Sequence, residues 1–390
     1  MRWASALETG EDTEEAVRQV AERLEAAFGE SRVDLIFAFV TRTHRARYAA
    51  VPALLRQRFP GAAVIGCSAG GVSASSREVE DAPGLAVVAA HLPDTDIHVF
   101  HTEVEGGVLD EAQWRAVVGV DPLTRPVLVL LSDPFSVRTE QALPALDDAF
   151  PHSPKVGGLA SGGEEPGQVA LFAEGFLHRR GLVGVALVGD VEMDTVVAQG
   201  ARPVGPVFAV TGGRDNLITS LDGEPVLDVL TSVYEGLDQA DQALFQRQPM
   251  IGLTPDNHPL AGRAGEVLVR SVMGVHRATG VMAVGFGVEV GQSVRFHVRD
   301  AASAHEELQD LLREARRPER HAGALLFSCL GRGRAFFGEP DHDARALQAG
   351  VGPLPAAGFA CNGEIGPVRG RSHVHSYTAS IGLFRPGSWD

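Results

Sequence analysis

An internal threefold repeat is the feature that most constrains what this sequence can fold into. Each repeat has an apolar run, a polar loop, a helical stretch and a second apolar run that ends in a glycine-rich turn. Short runs of Val, Ile, Leu and Phe are typical of buried strands. The two apolar runs, the second given with its turn, lie at residues 33–40 and 62–71 in the first repeat. They lie at residues 126–131 and 156–163 in the second repeat, and at residues 323–328 and 355–364 in the third. A further apolar run follows each repeat, at residues 84–91, 181–189 and 376–384.

This pattern predicts an α/β fold. Strand–helix–strand segments predict right-handed crossovers, and the strand after each glycine-rich turn is expected to run back as in a hairpin. We therefore expect two related domains with mixed β-sheets, built from repeated strand–helix–strand–Gly turn–strand units with the helices outside. Turn signals cluster near residues 200–222. We expect an N-terminal helix at residues 1–30, a first domain at residues 31–221 and a second domain at residues 222–390.

The segment between the second and third repeats has a different pattern. Asn216 follows a short apolar run and a glycine turn, which predicts a hairpin, and Pro225 is placed to begin a helix. The hairpin strands are expected at residues 206–210 and 216–221, and the helix at residues 225–237. An antiparallel meander is expected at residues 266–273, 281–286 and 293–298, and a final amphipathic helix at residues 301–317. At the other end of the chain, Asp12 or Thr13 is expected to cap a helix over residues 13–28.

The charge balance excludes several kinds of partner. Acidic residues exceed basic residues by 50 − 34 = 16, which opposes binding to nucleic acid or to anionic lipid. No apolar run approaches the roughly 18 residues that a membrane helix needs, and the acidic N-terminus is unlike a secretory signal. The three cysteines lack the even number and spacing of a disulfide framework. We expect a cytoplasmic protein that does not insert into membranes.

Residues 66–70 match G-x-S-x-G, the motif that presents the nucleophile of many serine hydrolases. The match places Ser68 as the candidate nucleophile, and an apolar run precedes it as the motif requires. The residues that follow are a poor helix start, and no histidine is marked as the general base. A serine hydrolase is therefore kept only as the third choice of function.

Polar side chains and cysteines cluster where the predicted strands end. In sheets built from crossovers, ligands bind outside the carboxyl ends of the strands. The glycine-rich turn at residues 157–163 offers backbone N–H groups that can cradle an anion. The candidate ligand-binding residues at these strand ends are Cys67, Ser68, Ser161, Ser328 and Arg332.

The last glycine-rich turn carries an amide and a carboxylate. Asn362-Gly363 resembles the turn of a two-residue hairpin, and Asn362 and Glu364 are equally suited to face a pocket. A buried carboxylate needs a partner, and Arg369 or Arg371 is close in sequence. We include Asn362, Glu364 and Arg371 among the candidate ligand-binding residues, with Glu364 suited to an ammonium and Arg371 to a carboxylate.

Two histidines, His373 and His375, share one face if their segment is a strand. No third ligand stands at a diagnostic spacing, so no metal site is assigned. Haem needs only one axial histidine. His375 is therefore the candidate haem ligand, and the first choice remains a protein without a cofactor.

Taken in order, several of these motifs resemble the FIST family, whose members have an N-terminal FIST_N and a C-terminal FIST_C domain. The resemblance covers most of the chain, and none of the motifs is a catalytic signature. The segments that carry it are residues 64–71, 156–163, 326–333, 358–367 and 375–384.

The resemblance implies a stand-alone bacterial sensory protein of signal transduction rather than an enzyme. It implies a small ligand, with amino acids as proposed ligands of the family, and a separate signalling partner such as a histidine kinase. Some stand-alone members resemble haem-based nitric oxide sensors that act on a histidine kinase, which is the alternative function. No catalytic residues are carried over from the family.

Overall fold

A computed structural model describes residues 1–103, 108–253, 267–317 and 321–387. The chain forms two compact units. The larger unit combines Met1–Val197 with Gln309–Asp390, and the smaller unit is Ala198–Leu308. The α/β class with mixed sheets is confirmed.

The first repeat is the simplest version of the repeated unit. Its elements in chain order are β1 (Arg2–Glu8), α1 (Thr13–Phe28), β2 (Leu35–Thr41), a 3-10 helix (Arg42–Arg47), α2 (Ala50–Arg58), β3 (Ala63–Ala69), β4 (Gly71–Ala74), β5 (Arg77–Glu80) and β6 (Leu85–His91). Asp12 caps α1 as predicted, because its side chain accepts a hydrogen bond from the Glu15 backbone N–H at 2.8 Å. We expected residues 1–30 to form a helix alone. This is wrong, because strand β1 precedes helix α1. The seven residues of β1 have no apolar run.

The second repeat has the same order of strands and α-helices, but its 3-10 helix precedes the first crossover strand instead of following it. They are β7 (Thr95–Thr102), α3 (Glu111–Val118), a 3-10 helix (Pro122–Thr124), β8 (Val127–Ser132), α4 (Thr139–Ala149), β9 (Lys155–Leu159), β10 (Leu171–Ala173), β11 (Phe176–His178) and β12 (Leu182–Gly189).

The third repeat is interrupted by the smaller unit. Strand β13 (Glu192–Ala198) comes first. The smaller unit then supplies β14 (Arg202–Arg214), β15 (Leu217–Leu221), β16 (Glu224–Pro225), α5 (Val226–Glu235), α6 (Gln239–Arg247), β17 (Met250–Leu253), β18 (Leu268–His276), β19 (Val281–Val284) and β20 (Ser293–Val298). The repeat resumes with α7 (Ala301–Ala315), β21 (Gly323–Cys329), a 3-10 helix (Leu330–Arg332), α8 (Arg334–Phe337), α9 (His342–Val351), β22 (Ala356–Cys361), β23 (Glu364–Val368), β24 (Arg371–His375) and β25 (Ala379–Arg385).

The three repeats form three six-stranded sheets with matching strand orders. The orders are β1-β6-β2-β3-β10-β11, β7-β12-β8-β9-β23-β24 and β13-β25-β21-β22-β4-β5. In each sheet the two crossover strands are parallel and the last strand of the repeat returns antiparallel. The outer hairpin of each sheet comes from a different repeat. The three hairpins are therefore exchanged in a ring, which ties the repeats into one unit.

This exchange explains why the compact units are not divided at residue 221. Strand β4 pairs with β22, and β23 pairs with β9, so hydrogen-bonded partners lie on both sides of that position. The expected boundary at residue 221 divides the sequence into two consecutive domains. The compact units do not test that division, which stays a prediction.

Each crossover strand is buried on both faces. In β2, Phe37 and Phe39 belong to a core lined by all three sheets, while Ile36 and Ala38 face a second core that includes residues of α1 and α2. Strand β8 alternates in the same way between the shared core and a core that contains side chains of α3 and α4. This alternation explains why the strands are continuous apolar runs.

The smaller unit contains a closed β-barrel. Strand β14 pairs with both β20 and β15, and the ring closes through β17, β18 and β19, with every pair antiparallel. The predicted hairpin of β14 and β15 is confirmed. The predicted meander is wrong in one step, because β20 pairs with β14 and β17 instead of β19. Closure gives the backbone groups of β20 a partner strand on both sides. Glu266, the first residue of the expected meander, lies outside the described residues.

Candidate functional site

The glycine-rich turns of the three repeats meet at one point of the larger unit. The Ser161 backbone N–H donates to the Ser68 carbonyl at 3.2 Å, and the Asn362 N–H donates to the Leu159 carbonyl at 3.1 Å. These bonds join the second repeat to the first and the third repeat to the second. The third link runs through a side chain: the Gly70 N–H donates to the Ser161 Oγ at 2.8 Å, and that hydroxyl donates to the Ala360 carbonyl.

A cleft of about 540 Å³ opens above this junction. Its walls come from the carboxyl ends of strands in all three repeats, which is where crossover sheets bind ligands. The residues that line it are Arg42, Arg45, Gly70, Asp81, Gly162, Gly163, Glu164, Gln168, Leu330 and Asn362.

Two arginines from the 3-10 helix after β2 give the cleft its positive charge. Arg45 donates through Nη2 to the Gly162 carbonyl at 2.5 Å. Its Nε is buried, and the guanidinium also interacts with the Tyr48 side chain. Arg42 is exposed and lies 3.8 Å from the Asp81 carboxylate, with which it forms a loose ion pair. Two guanidinium groups at the wall of one cleft are suited to an anionic ligand.

Glycines allow the backbone to form part of the cleft wall. Gly162 has φ +79°, and a Cβ at this position would overlap the Ala69 carbonyl. A Cβ on Gly163 would lie 2.7 Å from the Cβ of Gln168. Only glycine therefore fits at these two positions, and the sequence motif 157–163 is explained by close approach of backbone to backbone.

A second cavity of about 120 Å³ adjoins the cleft. Gly70, Asp81 and Leu330 line both. The other residues that line this cavity are Gly71, Val72, Ser73, Glu78, Val79, Glu80, Leu326, Ser328, Cys329, Gly333, Phe359 and Ala360.

A buried ion-pair network supports the second cavity. Asp343 accepts two hydrogen bonds from Arg332, at 2.7 and 2.9 Å, one from Ser328 at 2.6 Å, and contacts the His342 Nδ1 at 2.9 Å. Burial alone would raise the pKa of Asp343, but the Arg332 charge and these hydrogen bonds hold it well below its usual range. Asp343 is therefore ionised, and it fixes Ser328 and Arg332 in place.

Glu78 is the unusual acid of this region. Burial, together with the negative charge of Asp343, raises the pKa of Glu78 to about 8, although a hydrogen bond from the Ala344 N–H at 2.8 Å opposes the shift. Glu78 is thus a neutral carboxylic acid at pH 7. Sequence reasoning missed Glu78 and Asp343, because only the exchange of hairpin β4–β5 onto the third sheet brings them together.

Several residues predicted from the sequence lie beneath the cleft rather than on its surface. Cys67 is fully buried, and burial raises the pKa of its thiol. Ser68 is also fully buried; its Oγ donates to the Ser161 carbonyl at 3.0 Å and accepts from the Ala170 N–H at 2.9 Å. Ser68 therefore fixes the turn, and its hydroxyl is not presented as a nucleophile.

Asn362 reaches the cleft, but its turn is not the hairpin that the sequence suggested. Strand β22 pairs with β21 and β4, whereas β23 pairs with β9 and β24, so Asn362-Gly363 carries the chain from one sheet to another. The Asn362 side chain lines the cleft and donates to the Ala160 carbonyl at 3.2 Å.

The structure does not bring Glu364 and Arg371 together. Glu364 is buried and accepts from the Thr378 N–H at 3.1 Å. In the hairpin of β23 and β24, Glu364 pairs with His375 at one end and Arg371 pairs with Val368 at the other. Arg371 is exposed and forms an ion pair with Asp148 at 2.7 Å. Arg371 thus lies away from the cleft.

The candidate haem ligand His375 lies on strand β24. Its ring is fully buried between strands, and its Nε2 lies 3.1 Å from the Gly366 carbonyl. Axial ligation needs a ring nitrogen that faces a space large enough for the macrocycle.

Comparison with known families agrees with the repeat pattern. The model of the FIST N domain matches residues 34–224, and that of the FIST C domain matches residues 227–367. The chain belongs to the FIST family. FIST domains are sensory domains of signal transduction, and among the described residues of this FIST protein no helix has the length and apolarity to cross a membrane.

Full-length relatives of this FIST protein occur in mycobacteria. Uncharacterized protein Rv0628c of Mycobacterium tuberculosis (strain ATCC 25618 / H37Rv) is 34% identical over 389 residues, which is 98% of this chain and 100% of that protein. The F-box/LRR-repeat protein At5g63520 of Arabidopsis thaliana is 24% identical over 300 residues, which is 66% of this chain and 55% of that protein.

Among solved structures, the cyanuric acid hydrolase from A. caulinodans aligns over 99% of this chain and 100% of its own, at a TM-score of 0.37 and 8% identity. A similarity at this level says nothing about activity.

Proposed function

We propose that this FIST protein is a sensory protein that binds an amino acid, or a small metabolite of similar polarity, in the cleft. The observation that carries this proposal is the Arg45 guanidinium, which is held by the Gly162 carbonyl at a cleft walled by glycine backbone. A carboxylate placed there would accept a charge-assisted hydrogen bond.

The remaining polar groups of the cleft complement the rest of an amino acid. Arg42 adds a second positive charge for the carboxylate. Asp81 and Glu164 offer carboxylates for the ammonium group, and the Asn362 and Gln168 amides offer neutral hydrogen bonds. A cleft with both signs of charge favours a zwitterion over a simple anion.

The sequence-predicted residues take different roles in this proposal. Asn362 contacts the ligand. Ser161 positions Gly70 through its hydroxyl, and Cys67 and Ser68 support the turn from below. Ser328 and Arg332 act through the Asp343 network, which holds the wall shared with the second cavity.

Signalling is proposed to pass through a separate protein such as a histidine kinase. This part of the proposal is supported by membership of a sensory family. Ligand binding would change the surface formed by the three turns, and the partner would recognise that surface.

The test is a thermal-shift screen of the purified protein against the twenty amino acids, followed by calorimetry of the ligands that stabilise it. Ligand at 100 times its Kd stabilises the folded state by about 2.7 kcal/mol. Arg45→Ala is expected to weaken binding about 10- to 100-fold, since a hydrogen bond to a charged group contributes ~1.5–3 kcal/mol. Arg247→Ala, on an exposed arginine of the smaller unit, is the matched control and should bind as the wild type does. Equal affinity in both variants would refute the site.

A further inference from the structure

We infer that the second cavity receives the side chain of the amino acid held in the cleft, and that it selects an aliphatic side chain ending in a cation. This inference rests on the proposed function and specifies its ligand. The ligand class is a basic amino acid such as ornithine or lysine.

The first argument is continuity. The cleft and the second cavity share Gly70, Asp81 and Leu330 as a common wall. Gly70 keeps this wall thin, because a Cβ there would lie 2.6 Å from the Leu330 Cδ2. A ligand whose carboxylate binds at Arg45 therefore has its side chain directed along the wall that leads into the cavity.

The second argument is size. The cavity measures about 120 Å³, whereas one water needs roughly 10–15 Å³ by the same kind of measure. The space holds a chain of several heavy atoms. It is therefore larger than alanine or serine would require.

The third argument is the chemistry of the lining. Val72, Leu326 and Phe359 provide apolar surface for methylene groups. Glu80 is an exposed carboxylate at the opposite wall, and its two oxygens accept from the Arg334 backbone N–H at 2.9 and 3.2 Å. These bonds fix the position of the carboxylate. An aliphatic chain with a terminal ammonium matches both surfaces.

The charges that surround the cavity favour a cation. Arg332 is buried, and both its Nε and its Nη2 donate to Asp343. Three carboxyl groups line the cavity, those of Glu78, Glu80 and Asp81, and Arg42 is paired loosely with Asp81. A ligand ammonium is therefore better matched to this lining than a ligand carboxylate.

The experiment compares L-ornithine with L-norleucine, which has the same number of side-chain heavy atoms and no charge. Isothermal titration calorimetry of the wild type should show at least tenfold tighter binding of L-ornithine. Glu80→Gln keeps an oxygen for the Arg334 N–H and removes the charge. It should lower the affinity for L-ornithine about tenfold and leave that for L-norleucine within twofold.

A second variant tests the cavity by volume. Ala360→Leu fills the cavity from its wall and should weaken both long ligands while L-alanine binding is retained. If L-alanine binds the wild type but not Arg45→Ala, and L-ornithine shows no preference over L-norleucine, the inference is wrong and the cleft proposal stands. If no amino acid binds the wild type, the proposed function itself is wrong.

Discussion

Replacing Glu78 by Gln should make the protein more stable at neutral and alkaline pH. Glu78 lies against the Asp343 network, and its pKa is raised from 4.5 to about 8 by burial and by the charge of Asp343. The glutamine side chain can still accept the hydrogen bond from the Ala344 N–H. The substitution therefore removes a titratable proton and preserves the shape and hydrogen bonding of the neutral acid.

The sign of the effect follows from the direction of the shift. The unfolded chain releases the Glu78 proton near pH 4.5, whereas the folded protein retains it up to about pH 8. Between these values wild-type stability falls by about 1.4 kcal/mol per pH unit relative to the glutamine variant. Between pH 5.5 and 7.5 the free energy of unfolding of the variant should therefore gain about 3 kcal/mol on the wild type.

The assay is urea unfolding of the wild type and the variant at several pH values between 5 and 8.5, followed by circular dichroism. All other titrating groups are common to both proteins, so their contributions cancel in the difference. Glu339→Gln, on an exposed carboxylate, is the control and should give a difference that does not change with pH. A difference for Glu78→Gln that stays constant within about 0.5 kcal/mol, less than the change from a single surface substitution, would refute the reasoning.

Three further substitutions test the junction and its support by the same denaturation assay. Ser161→Ala removes the hydroxyl that links Gly70 to the third repeat and should cost about 1–3 kcal/mol; a loss below 0.5 kcal/mol, within the range of surface substitutions, would mean that the link is dispensable. Gly162→Ala forces a Cβ onto the Ala69 carbonyl at φ +79° and should cost more than about 1 kcal/mol; a neutral effect would contradict the close approach. Asp343→Asn leaves the buried Arg332 charge without its countercharge and should cost about 3–5 kcal/mol, and wild-type stability in this variant would show that the network is not needed.

The repeated strands could be predicted from the sequence because each is buried on both faces and is therefore a continuous apolar run. The exchange of hairpins could not. Hairpin β4–β5 is short and of mixed polarity, and nothing in residues 71–80 shows that it joins the third sheet. Asn362-Gly363 was mistaken for a hairpin turn for the same reason: the local sequence suits a tight turn, and only the pairing of β23 with β9 reveals a crossing between sheets.

The position of the cleft could be predicted better than the side chains that line it. The carboxyl ends of the strands and the glycine-rich turns do form the cleft, as the crossover pattern implied. Ser68 and Cys67 lie at those ends but point into packed interior. Arg45, on the loop after β2, reaches the cleft through the turn of a 3-10 helix, and no motif marks it. Side-chain direction at a strand end depends on the neighbouring repeat, which sequence spacing does not encode.

Native mass spectrometry tests the central claim most directly. The wild type and Arg45→Ala would each be exchanged into volatile buffer with an equimolar mixture of the twenty amino acids and L-ornithine. We predict one bound amino acid per chain in the wild type and the free mass in Arg45→Ala. The free mass in both proteins, or the same bound mass in both, would contradict an amino-acid site built around Arg45.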